Sequence, residues 1–141
     1  MSFSENVGAF ARRANANMDR VVRRIVLEIG IRIVEKSPVG DADYWMSPAP
    51  PGYVGGRFRA NWQYEFAHVP SGTVNAVSPS GSVSIASLSK VLVGPTSGVH
   101  FIANNLPYAK RLENGWSRQA PRGMVALTLV EFQGIVRRAP R

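Results

Sequence analysis

The hydrophobic pattern of the chain is most regular between Glu5 and Lys36, where apolar residues recur with the 3.6-residue period of an α-helix. On a helical wheel, one face is apolar around Met18 and the opposite face is basic. The apolar face holds Val7, Ala11, Ala14, Val21, Val22, Ile25, Ile29 and Ile33, and the basic face holds Arg12, Arg13, Arg20, Arg23 and Arg24. The pattern therefore predicts one long two-sided helix over residues 5–36.

Two features of this segment bear on its packing. Between Ile25 and Val34 the apolar residues nearly surround the helix, so we expect it to be covered on more than one side. At 1.5 Å per residue the whole segment would be about 45 Å long, more than one small sheet requires, so part of it is expected to serve a neighbouring chain.

Residues 29–34 also alternate with period two, which leaves a β-strand there as the alternative.

The helix is expected to end at Ser37, before Pro38, and a long loop follows over 41–56. This loop is rich in glycine and proline, yet it carries the aromatic residues Tyr44, Trp45 and Tyr53. Long loops in small domains are usually functional or disordered. We expect these aromatic side chains to bury area between subunits or against an adjacent protein, and the alternative is that they cap the domain's own core.

Strand patterns occupy residues 57–103. The segment Arg57–Phe66 alternates cleanly, and its inward face is Phe58, Ala60, Trp62, Tyr64 and Phe66, which we expect to lie on the opening helix. A weak strand is possible at 73–77, and another short strand is predicted at 99–103. Residues 82–93 alternate with a phase slip that predicts two short strands or a bulge. Their inward candidates are Val83, Ile85, Leu88, Val91 and Val93.

Helical patterns return over 106–138. Pro107 at a first helical position and Gly115 at a C-terminal stop predict a helix of about two turns. A last helix could open at Pro121 and continues over 124–138, with Val125, Leu129, Phe132 and Val136 on one side. The predicted class is α+β in a single domain over 1–141: a long N-terminal helix packed on a small antiparallel sheet of three to five strands, with a short helix and a C-terminal helix on the same sheet.

The composition and the motifs of the chain exclude several classes of function. Of the 141 residues 45% are hydrophobic, which suits one folded domain. There are no cysteines and the only histidines are His68 and His100, so we expect no metal site and no cofactor. Asp41 and Asp43 are more typical of a turn than of a cation site. Glycine-rich phosphate loops and nucleophile elbows are missing, and no active site can be assembled, so we expect a protein that is not an enzyme.

No run reaches the roughly 18 apolar residues of a membrane span, and the N-terminus lacks the apolar core of a secretion signal. We therefore expect no membrane partner and a protein kept in the cytoplasm until it joins an assembly. The formal charge is +8, from 14 arginines and 3 lysines against 9 acidic residues, which favours acidic partners. One alternative function is thus a basic nucleic-acid-binding module. Arginine-rich surfaces are equally typical of protein interfaces.

Four short motifs follow the long helix in a fixed order. They are Ser37-Pro38-Val39, then Gly56-Arg57-Phe58-Arg59-Ala60-Asn61-Trp62, then Tyr108-Ala109 with Glu113 and Gly115 after Asn104 or Asn105, and finally Ala120-Pro121-Arg122. In this order they resemble the tail-completion, or head-to-tail joining, proteins of long-tailed bacteriophages. Members of that family show Ser-Pro-Val, a Gly-Arg-Leu-Arg-Ala-Ser-Trp-like strand opening, a Tyr-Ala-x-x-x-Glu-x-Gly helix and a Pro-Arg-Pro lead into the last helix. The resemblance covers about residues 7–131.

The resemblance implies a structural virion protein, assembled in the host cytoplasm and located in the neck at the top of the tail. Such proteins form a ring, commonly of six subunits, that contacts adjacent neck and tail-tube proteins and lets genomic DNA pass without sequence-specific binding. The matching positions are Pro38, Arg57, Arg59, Trp62, Tyr108, Ala109, Glu113, Gly115 and Pro121. The candidate assembly contacts are Tyr44, Trp45, Tyr53, Arg12, Arg13, Arg20, Arg23 and Arg24.

The sequence departs from the family pattern in two places. The link between Ser-Pro-Val and Gly-Arg is widened here by the aromatic loop at 41–55, and Gly123-Met124 stand where an apolar residue is expected after the second proline. Glu113, near Lys110 and Arg111, is interpreted either as a solvated ion pair of little energetic value or as one half of a pair between subunits.

Overall fold

A computed structural model describes residues 2–41, 48–52 and 54–138, except for the side chain of Phe3. The elements in chain order are α1 (Phe3–Lys36), α2 (Arg57–Ala60), β1 (Trp62–Phe66), α3 (Ser82–Leu88), a 3-10 turn (Ser89–Leu92), β2 (His100–Asn104), α4 (Ala109–Glu113) and α5 (Val125–Arg138). The predicted α+β class is confirmed. Within the described ranges the sheet has two strands, fewer than the predicted three to five.

The long N-terminal helix is confirmed. Its start is fixed by a capping box, in which the Ser2 hydroxyl accepts from the Glu5 amide at 3.3 Å and the Glu5 carboxylate accepts from the Ser2 amide at 2.6 Å. The bond from the Ser2 backbone is the main reason that the pKa of Glu5 lies below its ordinary value. The alternative strand at 29–34 is wrong, because those residues continue α1. The chain leaves the helix at Ser37, immediately before Pro38.

The sheet pairs β1 with β2 in antiparallel register, from Trp62 opposite Asn104 to Phe66 opposite His100. β1 is only the second half of the predicted strand, because residues 57–60 form the helical turn α2. The side chain of the buried Asn61 closes this turn by donating to the carbonyls of Arg57 at 2.7 Å and Val74 at 3.1 Å. The alternating pattern therefore placed Phe58, Ala60, Trp62 and Tyr64 correctly in the core, but Phe66 is only half-buried, and the pattern missed the turn that precedes the strand.

The predicted strands at 82–93 are wrong, because this segment forms α3 and the 3-10 turn. Its fully buried residues are Ser84, Leu88 and Val91, which have the spacing of a helix, whereas Val93 is 89% exposed. The hydroxyls of Ser84 and Ser87 accept hydrogen bonds from the backbone amides of β1. α3 thus occupies the edge of β1 where a third strand would lie, and its serines satisfy the backbone donors of that edge.

The hydrophobic core lies where α1, α3 and the aromatic face of β1 meet. Its buried members include Ile33, Val34, Phe58, Trp62, Tyr64, Leu88, Val91, Leu106 and Met124. A Cβ atom on Gly30 would lie 2.4 Å from Leu88, so the missing side chain at Gly30 allows α3 to approach α1 closely. The aromatic face of β1 reaches the end of the opening helix at Trp62, whose indole donates to Ser37, and α3 contacts both β1 and α1.

The two later helices differ from prediction in position. Pro107 and Tyr108 form a turn before α4, and α5 begins at Val125, after a turn that contains Pro121. α5 packs along the C-terminal half of α1 rather than on the sheet, and the two helices run antiparallel, because Thr128 lies beside Lys36 while Arg138 lies beside Glu28.

One carboxylate joins α5 to α1. Glu131 is 3.1 Å from Lys36 and also accepts from Arg32. The hydrogen bonds from Lys36 and then Arg32 hold the pKa of Glu131 below its ordinary range. This attachment is therefore complete above the ordinary pKa of a glutamate and is lost as the pH falls through the lowered value.

Candidate interaction surfaces and the joints that hold them

The motif residues Arg59 and Trp62 meet at the end of α1. The Ser37 hydroxyl donates to the carbonyl of Ile33 at 2.7 Å and accepts from the Trp62 indole N–H at 2.7 Å. The Arg59 guanidinium donates to the Ser37 carbonyl at 2.6 and 3.0 Å and to the Glu35 carbonyl at 3.1 Å. The end of a helix leaves carbonyls without partners, and cationic donors there are favourable. We call this arrangement the Ser37 joint.

A second joint holds the start of α5. The carboxylate of Glu113 accepts from the amides of Met124 at 2.9 Å, Val125 at 3.0 Å and Ala126 at 2.9 Å. A negative charge on the free N–H groups of a helix N-terminus is the favourable placement. Both carboxylate oxygens accept hydrogen bonds within the chain, so Glu113 caps the start of α5, a role that the sequence did not suggest. We call this arrangement the Glu113 joint.

Gly115 and Pro121 belong to the same joint. Gly115 has φ +91°, and a Cβ atom there would lie 2.5 Å from the Pro121 carbonyl oxygen. The position therefore requires a residue that tolerates the left-handed region without a side chain. The motif Glu-x-Gly followed by Pro-Arg thus describes how the chain turns from α4 into α5.

Three of the remaining motif residues, Pro38, Arg57 and Tyr108, line a cleft of about 850 Å³ beside the Ser37 joint. Phe58 and Leu112 also line this cleft, and Arg57 is exposed. Tyr108 is 39% exposed and packs on Phe58 with ring centroids 6.1 Å apart. Ala109 opens α4 and packs against the core.

Trp116, at the rim of this cleft, was missed by the sequence interpretation. It is 73% exposed, and the Arg111 guanidinium lies 5.2 Å from its ring centroid. Because Trp116 stands alone in a short polar loop with no periodicity, only its residue type could have drawn attention to it. The nominated aromatic residues of the neighbouring loop, Tyr44, Trp45 and Tyr53, lie outside the described residues.

The N-terminal half of α1 extends beyond the domain. From Ser4 to Met18 every described residue except Gly8 and Ala9 is exposed, including Phe10 at 68% and Met18 at 63%. Hydrogen bonds connect α1 to later parts of the chain at Asp19, which bonds with Thr96, and at Arg23, which donates to the Gly94 carbonyl at 3.0 Å. The apolar face predicted around Met18 is therefore bare over 7–18.

The five nominated arginines divide between two environments. Arg12, Arg13 and Arg20 are exposed on the extended half of α1, and Arg24 is exposed with a weak 3.8 Å pair to Glu28. Arg23 is half-buried against the Gly94 carbonyl and serves the fold. Four of the five are therefore available to a partner.

α5 carries a second bare apolar face. Its inward side is Thr128, Glu131 and Ile135, in line with Met124 just before the helix, and it faces the core and α1. The predicted apolar side is one residue out of phase with it, or about 100° around the helix. That side consists of the half-buried Val125 with Leu129, Phe132 and Val136, which are 64%, 40% and 36% exposed. The inward side combines the fully buried Thr128 and Ile135 with Glu131, which pairs with Arg32 and Lys36.

The remaining titratable candidates are structural. The His100 ring donates through Nε2 to the Thr96 carbonyl at 2.9 Å, and its Nδ1 lies 2.7 Å from the Tyr64 hydroxyl. Burial, and then the charge of Glu65, raises the pKa of Tyr64. In the part of the chain that the structure describes, no three His, Asp or Glu side chains are grouped to hold a metal ion, and no helix is long and apolar enough to cross a membrane.

Comparison of the chain with protein-family models, with curated proteins and with solved structures gives no match.

Replacing Ser37 by alanine is expected to destabilise the fold by about 1–3 kcal/mol, because the buried Trp62 N–H loses its acceptor. Trp62→Phe also costs stability, but the double variant should lose less than the sum by at least about 1 kcal/mol, since neither partner is then left unpaired. Urea unfolding of the four proteins measures this coupling, with the exposed Ser71→Ala as control. Additive losses would contradict the Ser37 joint.

Glu113→Gln is expected to destabilise the protein by about 1–2 kcal/mol, because the start of α5 loses a charged acceptor for its backbone amides. Chemical denaturation at neutral pH measures the loss. The exposed Glu35→Gln removes the same charge from a place outside this joint and should cost much less. Equal losses in the two variants would show that Glu113 does not act as a helix cap.

Proposed function

We propose that this chain is a structural subunit of the neck or tail-completion ring of a long-tailed bacteriophage, joining the tail to the head around the DNA passage. The observation that carries the proposal is the order of four motifs along the sequence, from Ser37-Pro38-Val39 to Ala120-Pro121-Arg122. The physical support is the amount of apolar helix surface outside the core, on α1 over 7–18 and on α5. Exposed faces of this kind are typical of chains that work in assemblies.

The positions of the motif residues support this reading of the resemblance. Arg59 and Trp62 hold the end of α1, and Glu113 holds the start of α5. Such residues fix the direction of α1 and the position where α5 starts, and these two helices carry the bare apolar faces. Proteins that assemble through these two helices would need the same two joints, even where the residues of their contact surfaces differ.

The proposed ring is built from copies of this chain, six being the number that the resemblance implies. Subunits joined head to tail form a closed ring when their rotation closes. The ring would contact adjacent neck and tail-tube proteins in the virion, and the genomic DNA would pass through it without sequence-specific contacts. In this function the exposed arginines of α1 pair with acidic protein surface.

The test uses the virus that encodes the chain. Particles made without this protein are expected to accumulate as filled heads and unattached tails, and the wild-type chain supplied in trans should restore joined particles. Electron microscopy and mass spectrometry of purified virions measure both outcomes, with a map locating the chain at the junction. A chain that is absent from purified virions would overturn the proposal.

A second candidate function, a nucleic-acid-binding module, is favoured by the exposure of Arg12, Arg13, Arg20 and Arg24 on the extended half of α1. A rod of basic residues can follow a phosphate backbone. Against it, the aromatic residues Phe58, Trp62 and Tyr64 are buried in the core, where they cannot form a stacking platform between the basic residues.

The two candidates differ in how duplex binding responds to substitution. We compare Arg12→Gln, Arg13→Gln and Arg20→Gln, combined in one variant, with a control of equal charge that carries Arg57→Gln, Arg118→Gln and Arg122→Gln. Arg23 is left intact because it bonds within the fold. For a neck subunit, the two variants should show the same weak, salt-dependent binding. Loss of binding in the α1 variant alone, with a salt slope reduced by about 0.9 per arginine, would favour the nucleic-acid module.

A further inference from the structure

The two bare helix faces have the same spacing. On α1 the stripe is Val7, Ala11, Ala14 and Met18, and on α5 it is Val125, Leu129, Phe132 and Val136. Each stripe has the intervals four, three and four, and each spans about 17 Å along its helix. Two helices whose apolar residues have this spacing can pack along their whole stripes.

The side chains of the two stripes are complementary in size. The middle of the α1 stripe is small, at Ala11 and Ala14, and the middle of the α5 stripe is large, at Leu129 and Phe132. Large side chains of one helix pack best where the facing helix carries small ones. A second α1 stripe would instead place alanine opposite alanine, and a second α5 stripe would place phenylalanine and leucine together.

The α1 stripe also continues an interface that already exists within the chain. Lys36 and Arg32 lie on the same side of α1 as Met18, and there they bind Glu131 and Thr128 of the chain's own α5. This side of α1 therefore accepts an antiparallel α5 helix over its C-terminal half. The same side is bare over 7–18, where the chain's own α5 does not reach.

The rest of the given sequence is too short to cover the α1 stripe. Residues 139–141 follow the end of α5 beside Glu28, and three residues span about 10 Å at most. Residues 42–47 are attached beyond Ser37, which is about 28 Å along the helix from Met18. The occupant must therefore come from elsewhere.

We infer that the extended half of α1 in one copy packs antiparallel on the α5 stripe of the next copy. Ala11 then faces Phe132 of the next copy and Ala14 faces its Leu129, while Val7 and Met18 face Val136 and Val125. The contact joins two different surfaces, so every copy both gives and receives it. The arginines of both helices lie away from the stripes, so pairing them buries no unpaired charge. Closure into a ring rests on the proposed function, whereas the contact itself does not.

The test mixes two variants that are defective on opposite sides. One carries Ala11→Glu and Ala14→Glu on α1, and the other carries Leu129→Glu and Phe132→Glu on α5. Each alone should stay monomeric in sedimentation velocity, whereas the wild-type chain self-associates. An equal mixture should form dimers and nothing larger, because one intact α1 meets one intact α5. Val69→Glu with Val77→Glu, two exposed valines in a loop, should associate like wild type.

Every substituted side chain is at least partly exposed, so thermal unfolding should change little and separates loss of contact from loss of fold. A wild-type chain that stays monomeric at its solubility limit would overturn the inference. A mixture of the two variants that stays monomeric would overturn the pairing of α1 with α5. Full association of either variant alone would overturn it as well.

The direction of packing is tested by cysteine cross-linking, since the chain has no cysteine of its own. Met18→Cys mixed with Val125→Cys should form a mixed disulfide under mild oxidation, and Met18→Cys mixed with Val136→Cys should not. The reverse result would show parallel packing and overturn the stated register.

These outcomes are independent of the virion test. Purified protein that associates through α1 and α5 while the chain is absent from virions would support the contact and overturn the neck function. A chain found at the head-to-tail junction whose Ala14→Cys, Leu129→Cys double variant forms no disulfide between copies in the assembled particle would support the neck function and overturn the contact.

Discussion

The end of α1 is the point on which the domain depends. A helix of 34 residues that projects beyond the core can be held only through its C-terminal half, and its last carbonyls need donors. The Arg59 guanidinium donates to the Ser37 carbonyl, and the Trp62 indole donates to the Ser37 hydroxyl. Because Arg59 precedes β1 and Trp62 opens it, the same bonds fix the sheet relative to the helix. The buried Asn61 shapes the turn between them. One side-chain cluster therefore sets the direction of α1 and the position of the sheet together.

α3 explains how so small a sheet is stable. A two-stranded sheet exposes backbone donors on both outer edges, and such edges invite further strands. Ser84 and Ser87 accept from the β1 amides, and Leu88 on the same helix packs against Gly30 of α1. The helix thus satisfies the polar edge and fills the core at once. In the sequence of α3, serine alternates with apolar residues, and this pattern predicts a strand. In the structure Ser84 and Ser87 lie on the side of the helix that faces β1, where their hydroxyls accept from the strand amides.

The inward side of α5 combines buried side chains with ion pairs to α1. Arg32 and Lys36 lie on the apolar side of α1, so a helix that packs there must bring an acceptor, and α5 brings Glu131. Turning Glu131 inward leaves Leu129 and Phe132 exposed, about 100° away. The charged side chains between α1 and α5 are therefore paired, while apolar side chains of α5 stay exposed to solvent. In an assembly subunit that surface is an asset, because apolar area that no part of the domain covers drives association.

The sequence by itself determined the α+β class, the long helix and most of the core, because a 3.6-residue period sustained over residues 5–36 and a run of alternating aromatics are signals that few alternatives share. The alternation at 82–93 wrongly predicted strands. Two of its serines, Ser84 and Ser87, face β1 and bond to its backbone, and the pattern of apolar residues along a sequence does not show such bonds. Long-range contacts decided the rest: Arg59 and Glu113 gained their partners from distant backbone, and α5 turned its ion-pairing side inward. The bare stripes of α1 and α5 were visible in the sequence as apolar faces. Only the tertiary structure decided that these faces stay exposed, because exposure depends on which helices and strands pack against each face.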